Sequence, residues 1–121
     1  MSFSIKSIRP FIGSKDYQIS RNFYQKLGFQ EVVLTHNLSY FKIDENFGFY
    51  LQDAFVKDWI DNSMVFVEIP QLEEFWEHLV SLDLQATFQS VRIVPIQYKD
   101  WGKECFIHDP SGILWHFGTF Y

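Results

Sequence analysis

The feature that most constrains this chain is that it repeats itself. Leu27-Gly28-Phe29-Gln30 and Leu82-Asp83-Leu84-Gln85 lie 55 positions apart, and Phe11 falls on Phe66 at the same offset. A match this short gains weight because the order of elements around it repeats as well, so each half is expected to form one copy of the same unit. In the first half, residues 5–11 alternate as a strand, and Asp16 can cap a helix by accepting from its free N–H groups. Ser20, Phe23, Tyr24 and Leu27 then recur at helical spacing until Gly28, where a left-handed terminus is wanted. Three short strands follow over residues 30–35, 38–43 and 47–52, with His36-Asn37 and Asp44-Glu45-Asn46 as turns.

The second half reads the same way. Residues 64–69 form a strand, Pro70 opens a helix, and Glu73 and Glu74 sit where the helix dipole favours negative charge. Leu72, Phe75, Trp76, Leu79 and Leu82 make its apolar stripe, and strands are expected over 91–98, 103–108 and 114–120. A chain of 121 residues holds one domain, with a first βαβββ module over about 4–52 and a second over about 64–120. The connector, 53–63, carries Phe55, Val56, Trp59 and Ile60. It either packs on the domain or serves as a lid or dimer contact. The fold class is α+β.

Composition enters through its rings. With 14 Phe, 6 Tyr and 4 Trp there is more aromatic surface than disorder allows, and a ring-lined cavity is a second use beside core filling. Net charge is −5 with no cluster of Lys and Arg, which argues against nucleic acid, whose phosphates need a concentrated positive footprint. The overall field weakly favours a cationic ligand. Cys105 is the lone cysteine and cannot form an internal disulfide, which fits a reducing, cytoplasmic setting. No window reaches the length of a signal sequence or a membrane span, so a soluble protein without membrane partners is expected.

Two further segments carry a resemblance. Asp16, Ser20, Phe23-Tyr24 and Leu27-Gly28-Phe29 resemble the first-helix signature of the vicinal oxygen chelate superfamily. Asp109-Pro110-Ser111-Gly112 followed by Leu114-Trp115-His116-Phe117 resembles that group's final turn and strand, about 90 residues on. The superfamily includes glyoxalase I, extradiol dioxygenases, fosfomycin-modifying enzymes and bleomycin resistance proteins, and the last are closest in look. The resemblance implies a strongly curved mixed sheet around a cavity, helices on its convex side, and commonly a homodimer. Locally, Pro110 and Gly112 also supply the torsions of a tight turn.

Alternation supports a two-faced sheet independently. Phe47, Phe49 and Leu51 oppose Gly48, Tyr50 and Gln52; Val65, Val67 and Ile69 oppose Met64, Phe66 and Glu68; Trp115 and Phe117 oppose Leu114, His116 and Gly118. By the resemblance, the metal-ligand positions fall on Arg9, Gln52, Met64 and His116. An always-protonated Arg repels a divalent cation and a Met thioether is a soft ligand, so neither metal nor other cofactor is expected. The candidate ligand-binding residues are Arg9, Tyr50, Gln52, Met64, Phe66, Glu68, Trp101 and His116, with no residue assigned to catalysis. Trp101 is either a stacking residue or a core or dimer-contact Trp. The expected function is sequestration of a small, aromatic or cationic molecule by a homodimer. The alternative is a glyoxalase-like enzyme: a metal-dependent lyase, isomerase or dioxygenase, or a metal-free one using His116 as acid–base and Arg9 for an oxyanion.

Overall fold

The computed structural model describes residues 2–121. Its elements run β1 (Phe11–Ile12), α1 (Tyr17–Leu27), β2 (Gln30–Thr35), β3 (Leu38–Lys42), β4 (Gly48–Gln52), α2 (Lys57–Asp61), β5 (Met64–Glu68), α3 (Leu72–Leu82), α4 (Leu84–Thr87), β6 (Arg92–Tyr98), β7 (Gly102–His108) and β8 (Leu114–Phe120). The βαβββ order therefore occurs twice. Helices α1 and α3 are both 11 residues long, and they begin and end at positions related by the offset seen in the sequence.

Their ends follow from local chemistry. Asp16 accepts from the backbone N–H of Ile19 at 3.1 Å, a cap worth roughly 1 kcal/mol. Gly28 then takes the left-handed conformation, φ 109°, and sends its N–H back to the Gln25 carbonyl. In the second copy Asp83 stands at the same place with φ 48°, the one non-glycine residue with positive φ among those described. Helix α3 lacks a side-chain cap at its start; Gln71 precedes it, and the helix begins two residues after Pro70.

Each module forms its own four-stranded mixed sheet, ordered β1-β4-β3-β2 in the first and β5-β8-β7-β6 in the second. In both, the strand before the helix pairs parallel to the last strand of the module and the rest are antiparallel. The two copies differ at that first strand. Residues 5–11 were expected to pair, yet only Phe11 and Ile12 do, against Tyr50 and Leu51, and residues 2–10 lie outside any strand and are exposed. Strand β5 pairs along its whole length with β8. The sheets are curved and not closed.

One core serves both modules. Phe49 of β4 and Trp115 of β8 meet with ring centroids 5.2 Å apart, and Tyr24 of α1 sits edge-on to both, at 4.9 and 5.8 Å. The Tyr24 hydroxyl donates to Asp109 Oδ2 at 2.6 Å and accepts from Trp115 Nε1 at 2.9 Å, so its polar tip is fully used inside the core. Asp109 Oδ1 accepts from the backbone N–H groups of Ser111, Gly112 and Ile113, which shapes the turn read in the sequence. Within the connector, Ile60 is buried at 2% exposure while Trp59 stays 70% exposed, so part of the segment packs and part does not. No helix of the described residues is long and apolar enough to cross a membrane.

Candidate ligand-binding site

Because the helix-bearing sides of both sheets share the core, the opposite side of each sheet is left open. The alternation in the strands decides what lies there. Phe49 and Leu51 of β4, Phe41 of β3, Trp115 and Phe117 of β8 and Cys105 and Ile107 of β7 point into the core and are buried. Their sequence neighbours form the two open faces.

On the first sheet that face is built of rings around a cation. Phe11 stacks on Tyr50 at 4.8 Å, and Tyr50 lies against Tyr40 at 5.6 Å across the β3–β4 pair. Arg9 lays its guanidinium over the Tyr40 ring, 4.1 Å from the centroid, and donates to the Tyr50 hydroxyl at 3.0 Å. Gln52 follows Tyr50 on β4 at the same parity, opposite Leu38, and its backbone carbonyl accepts from the Ser14 hydroxyl.

The second sheet's open face runs in rows set by the strand register. Phe66, His116 and Phe106 make one row across β5, β8 and β7, and Glu68, Gly118 and Glu104 make the next. His116 packs edge-on to Phe106 at 4.7 Å and holds Nδ1 3.5 Å from Glu104 Oε2, both side chains being largely shielded. Glu68 Oε2 accepts from Thr119 Oγ1 and from the Phe120 N–H at 3.1 and 3.2 Å. Phe120 bridges two further rings, 5.8 Å from Phe66 and 5.3 Å from Trp101. Met64 lies at the far end, opposite Leu114. A cleft of about 520 Å³ lies beside β5, lined by Ile8, Pro10, Phe47 and Phe66 together with the core-side Val67 and Trp115. Its volume is in the range that holds a drug-sized molecule.

The eight residues singled out in the sequence thus divide in two. Arg9, Tyr50 and Gln52 belong to the first face, and Met64, Phe66, Glu68, Trp101 and His116 to the second. Each group lies on or beside its own sheet, and among the described residues no hydrogen bond or ion pair joins Arg9 to His116. The sequence reading did not single out Phe11, Tyr40, Glu104, Phe106 and Phe120. For Glu104 and Phe106 a signal existed, since they alternate with the apolar Cys105 and Ile107 along one strand.

The four positions that the superfamily uses for metal do not suit one here. The Arg9 guanidinium is committed to two tyrosines, and Met64 is a thioether on an exposed edge strand. Among the described residues, no group of three or more His, Cys, Asp or Glu converges closely enough to hold a metal ion. Cys105 is fully buried, and burial pushes its thiol up to about 11, which leaves no thiolate for nucleophilic work near neutrality.

No family model matches the sequence, and no curated protein is similar enough in sequence to pair with it. Solved structures do match. A bleomycin-binding protein from bleomycin-producing Streptomyces verticillus, complexed with copper(II)-bleomycin, superposes at TM-score 0.80 with 16% identity, covering 98% of this chain and 99% of its own. A bleomycin-binding protein complexed with bleomycin gives 0.79 at 20% identity, covering 97% of this chain and 100% of its own. A putative glyoxalase family protein from Bacillus anthracis gives 0.70 at 15% identity with complete coverage of both, 100% and 100%. The fold is therefore that of the vicinal oxygen chelate proteins. Within that group, the solved structures it superposes on include bleomycin-binding and glyoxalase-family proteins, and at these identities the likeness is one of fold.

Proposed function

We propose that this protein binds and sequesters a small, partly aromatic molecule, an antibiotic or a metabolite, without metal and without chemical turnover. The observation that carries the reading is the pair of open sheet faces. Each is lined with rings whose polar partners stand among them, as small-molecule sites require, and neither gathers a donor set for a divalent cation. The reading is supported by the bleomycin-binding proteins that share the fold, which bind a small molecule. The chain acts in the cytoplasm, where a free Cys105 is stable.

A homodimer fits the exposed edges. The arm before β1 presents Phe3, Ile5 and Ile8 at 78, 65 and 87% exposure, and the outer edge of β5 has no strand beside it. Unpaired strand edges and apolar arms of this kind are usually covered by a partner. Light scattering is expected to give a dimer, and a monomer at high concentration would remove that part of the proposal.

Two measurements test the rest. Saturable fluorescence or thermal shifts are expected for some member of a broad antibiotic and metabolite panel. Protein purified without chelator or affinity tag is expected to carry no stoichiometric metal; near-stoichiometric Mn, Fe, Ni or Zn would put the metal-dependent enzyme reading first. One observation favours a metal-free enzyme instead, namely the carboxylate of Glu104 beside His116. Turnover of a bound compound that is lost in His116→Ala would establish it.

A further inference from the structure

Lys and Arg are scattered along the sequence, yet the fold gathers basic side chains at one place. Lys15 precedes α1, Arg92 opens β6 and His108 ends β7, and together they line a pocket of about 270 Å³ beside the 109–112 turn. Arg92 and His108 are direct partners across the β6–β7 pair. The pocket shares no lining residue with the cleft beside β5 and contains none of the eight candidates on the open faces.

Its walls are tied to one another. The Lys15 backbone N–H donates to Ser111 Oγ at 2.8 Å, and the Ser90 hydroxyl donates to the Pro110 carbonyl at 3.1 Å, so a segment from each module is held against one turn. The acid in the lining, Asp109, is buried and spent: Oδ1 accepts from three backbone N–H groups and Oδ2 from the Tyr24 hydroxyl. The basic groups are not spent. Among the described residues no carboxylate pairs with Lys15, Arg92 or His108. Arginine stays protonated, and a histidine set directly opposite it across two strands repels it whenever the ring is charged. An anion between them replaces that repulsion with attraction, and the planar fork of arginine matches two oxygens of one oxyanion. With a net charge of −5 on the whole chain, a positive pocket is no by-product of composition.

We infer that this pocket is a second binding site, for a phosphate group, with the Arg92 guanidinium taking two of its oxygens and Lys15 and His108 meeting the others. Donors arriving from three separate segments suit a tetrahedral oxyanion better than a planar carboxylate. The phosphate is either the free ion or the end of a small ester. The site is separate from the open sheet faces and stands whether or not they hold a ligand.

Calorimetric titration with inorganic phosphate and with glycerol phosphate, at constant ionic strength, tests it. Saturable binding at millimolar concentration or below is expected, and Arg92→Gln should weaken it about tenfold, the scale of one charge-assisted contact. Lys15→Gln should weaken it too, whereas Lys99→Gln, which removes an equal charge from the far end of the same hairpin, should leave it unchanged. Tighter binding of the ester supports an organic phosphate as the ligand, and tighter binding of the free ion supports the ion itself. Absence of saturable binding by both probes overturns the inference. So does binding that survives undiminished in Arg92→Gln, whose exposed side chain can be replaced without opening the core, or that falls equally in Lys99→Gln.

Discussion

The two modules are copies in architecture and opposites on their open faces. Both place an 11-residue helix on a four-stranded sheet, yet one face gathers tyrosines around Arg9 and the other gathers phenylalanines, a tryptophan and His116 around two glutamates. What the copies share is the side that packs. What they do not share is the side that is free of packing, and there chemistry can diverge without cost to the fold. The same division marks their first strands: β5 pairs over five residues, while β1 pairs over two and leaves its approach exposed.

The comparison predicts where damage should be severe. Trp115 is the joint between modules, so Trp115→Ala should cost about 3–5 kcal/mol, the usual loss for a buried large aromatic. It also leaves the Tyr24 hydroxyl without its donor. Tyr24→Phe keeps the ring but deprives buried Asp109 Oδ2 of its partner, at about 1–3 kcal/mol. Chemical denaturation of both variants checks the order, and equal small losses would mean that the modules do not depend on one core.

A middle-sized effect belongs to the first module alone. Burial pushes the Glu31 carboxyl up, but hydrogen bonds from Arg21, Ser39 and Gln25 outweigh it and hold the group below its ordinary value. Its folded value lies below its unfolded one, so its contribution is full above about pH 4.3 and fades as pH falls through the folded value. Stability of wild type minus that of Glu31→Gln should therefore be roughly 1–3 kcal/mol at neutral pH and shrink in acid. In the second module the Lys103–Glu73 pair links helix and sheet, but its carboxylate is far more exposed and it should matter less.

The smallest effects sit at the helix ends. Gly28→Ala should cost about 1 kcal/mol, since φ 109° is strained for any side chain although nothing crowds the added Cβ. Asp83→Gly should gain a few tenths to about 1 kcal/mol by relieving the same strain in the second copy. Opposite signs by thermal denaturation would confirm that the copies reuse one turn with different residues.

Most of the fold was legible because burial enforces periodicity. The apolar stripe of α1 and the alternation in β4, β5 and β8 each have one packed side, and the sequence records it. The first strand was overextended because residues 5–10 alternate, yet the pairing with β4 begins only at Phe11. Part of the candidate site was legible for the same reason: Tyr50, Phe66, Glu68 and His116 are the off-phase residues of well-marked strands. Glu104 and Phe106 alternate with the buried Cys105 and Ile107 just as clearly, but none of the positions matched by the resemblance lies on that strand. That Arg9 and His116 stand on separate sheets depends on how two modules pack, which no local pattern reports.

The central claim is that the open faces exist to hold a small molecule. The most direct measurement is a thermal-shift screen of an antibiotic and metabolite panel against wild type and a Phe66→Ala, Trp101→Ala double variant, both exposed enough to be replaced without opening the core. The account predicts at least one compound that stabilises wild type saturably and fails to stabilise the variant. A compound that stabilises both alike, or a panel without a single saturable shift, would contradict it.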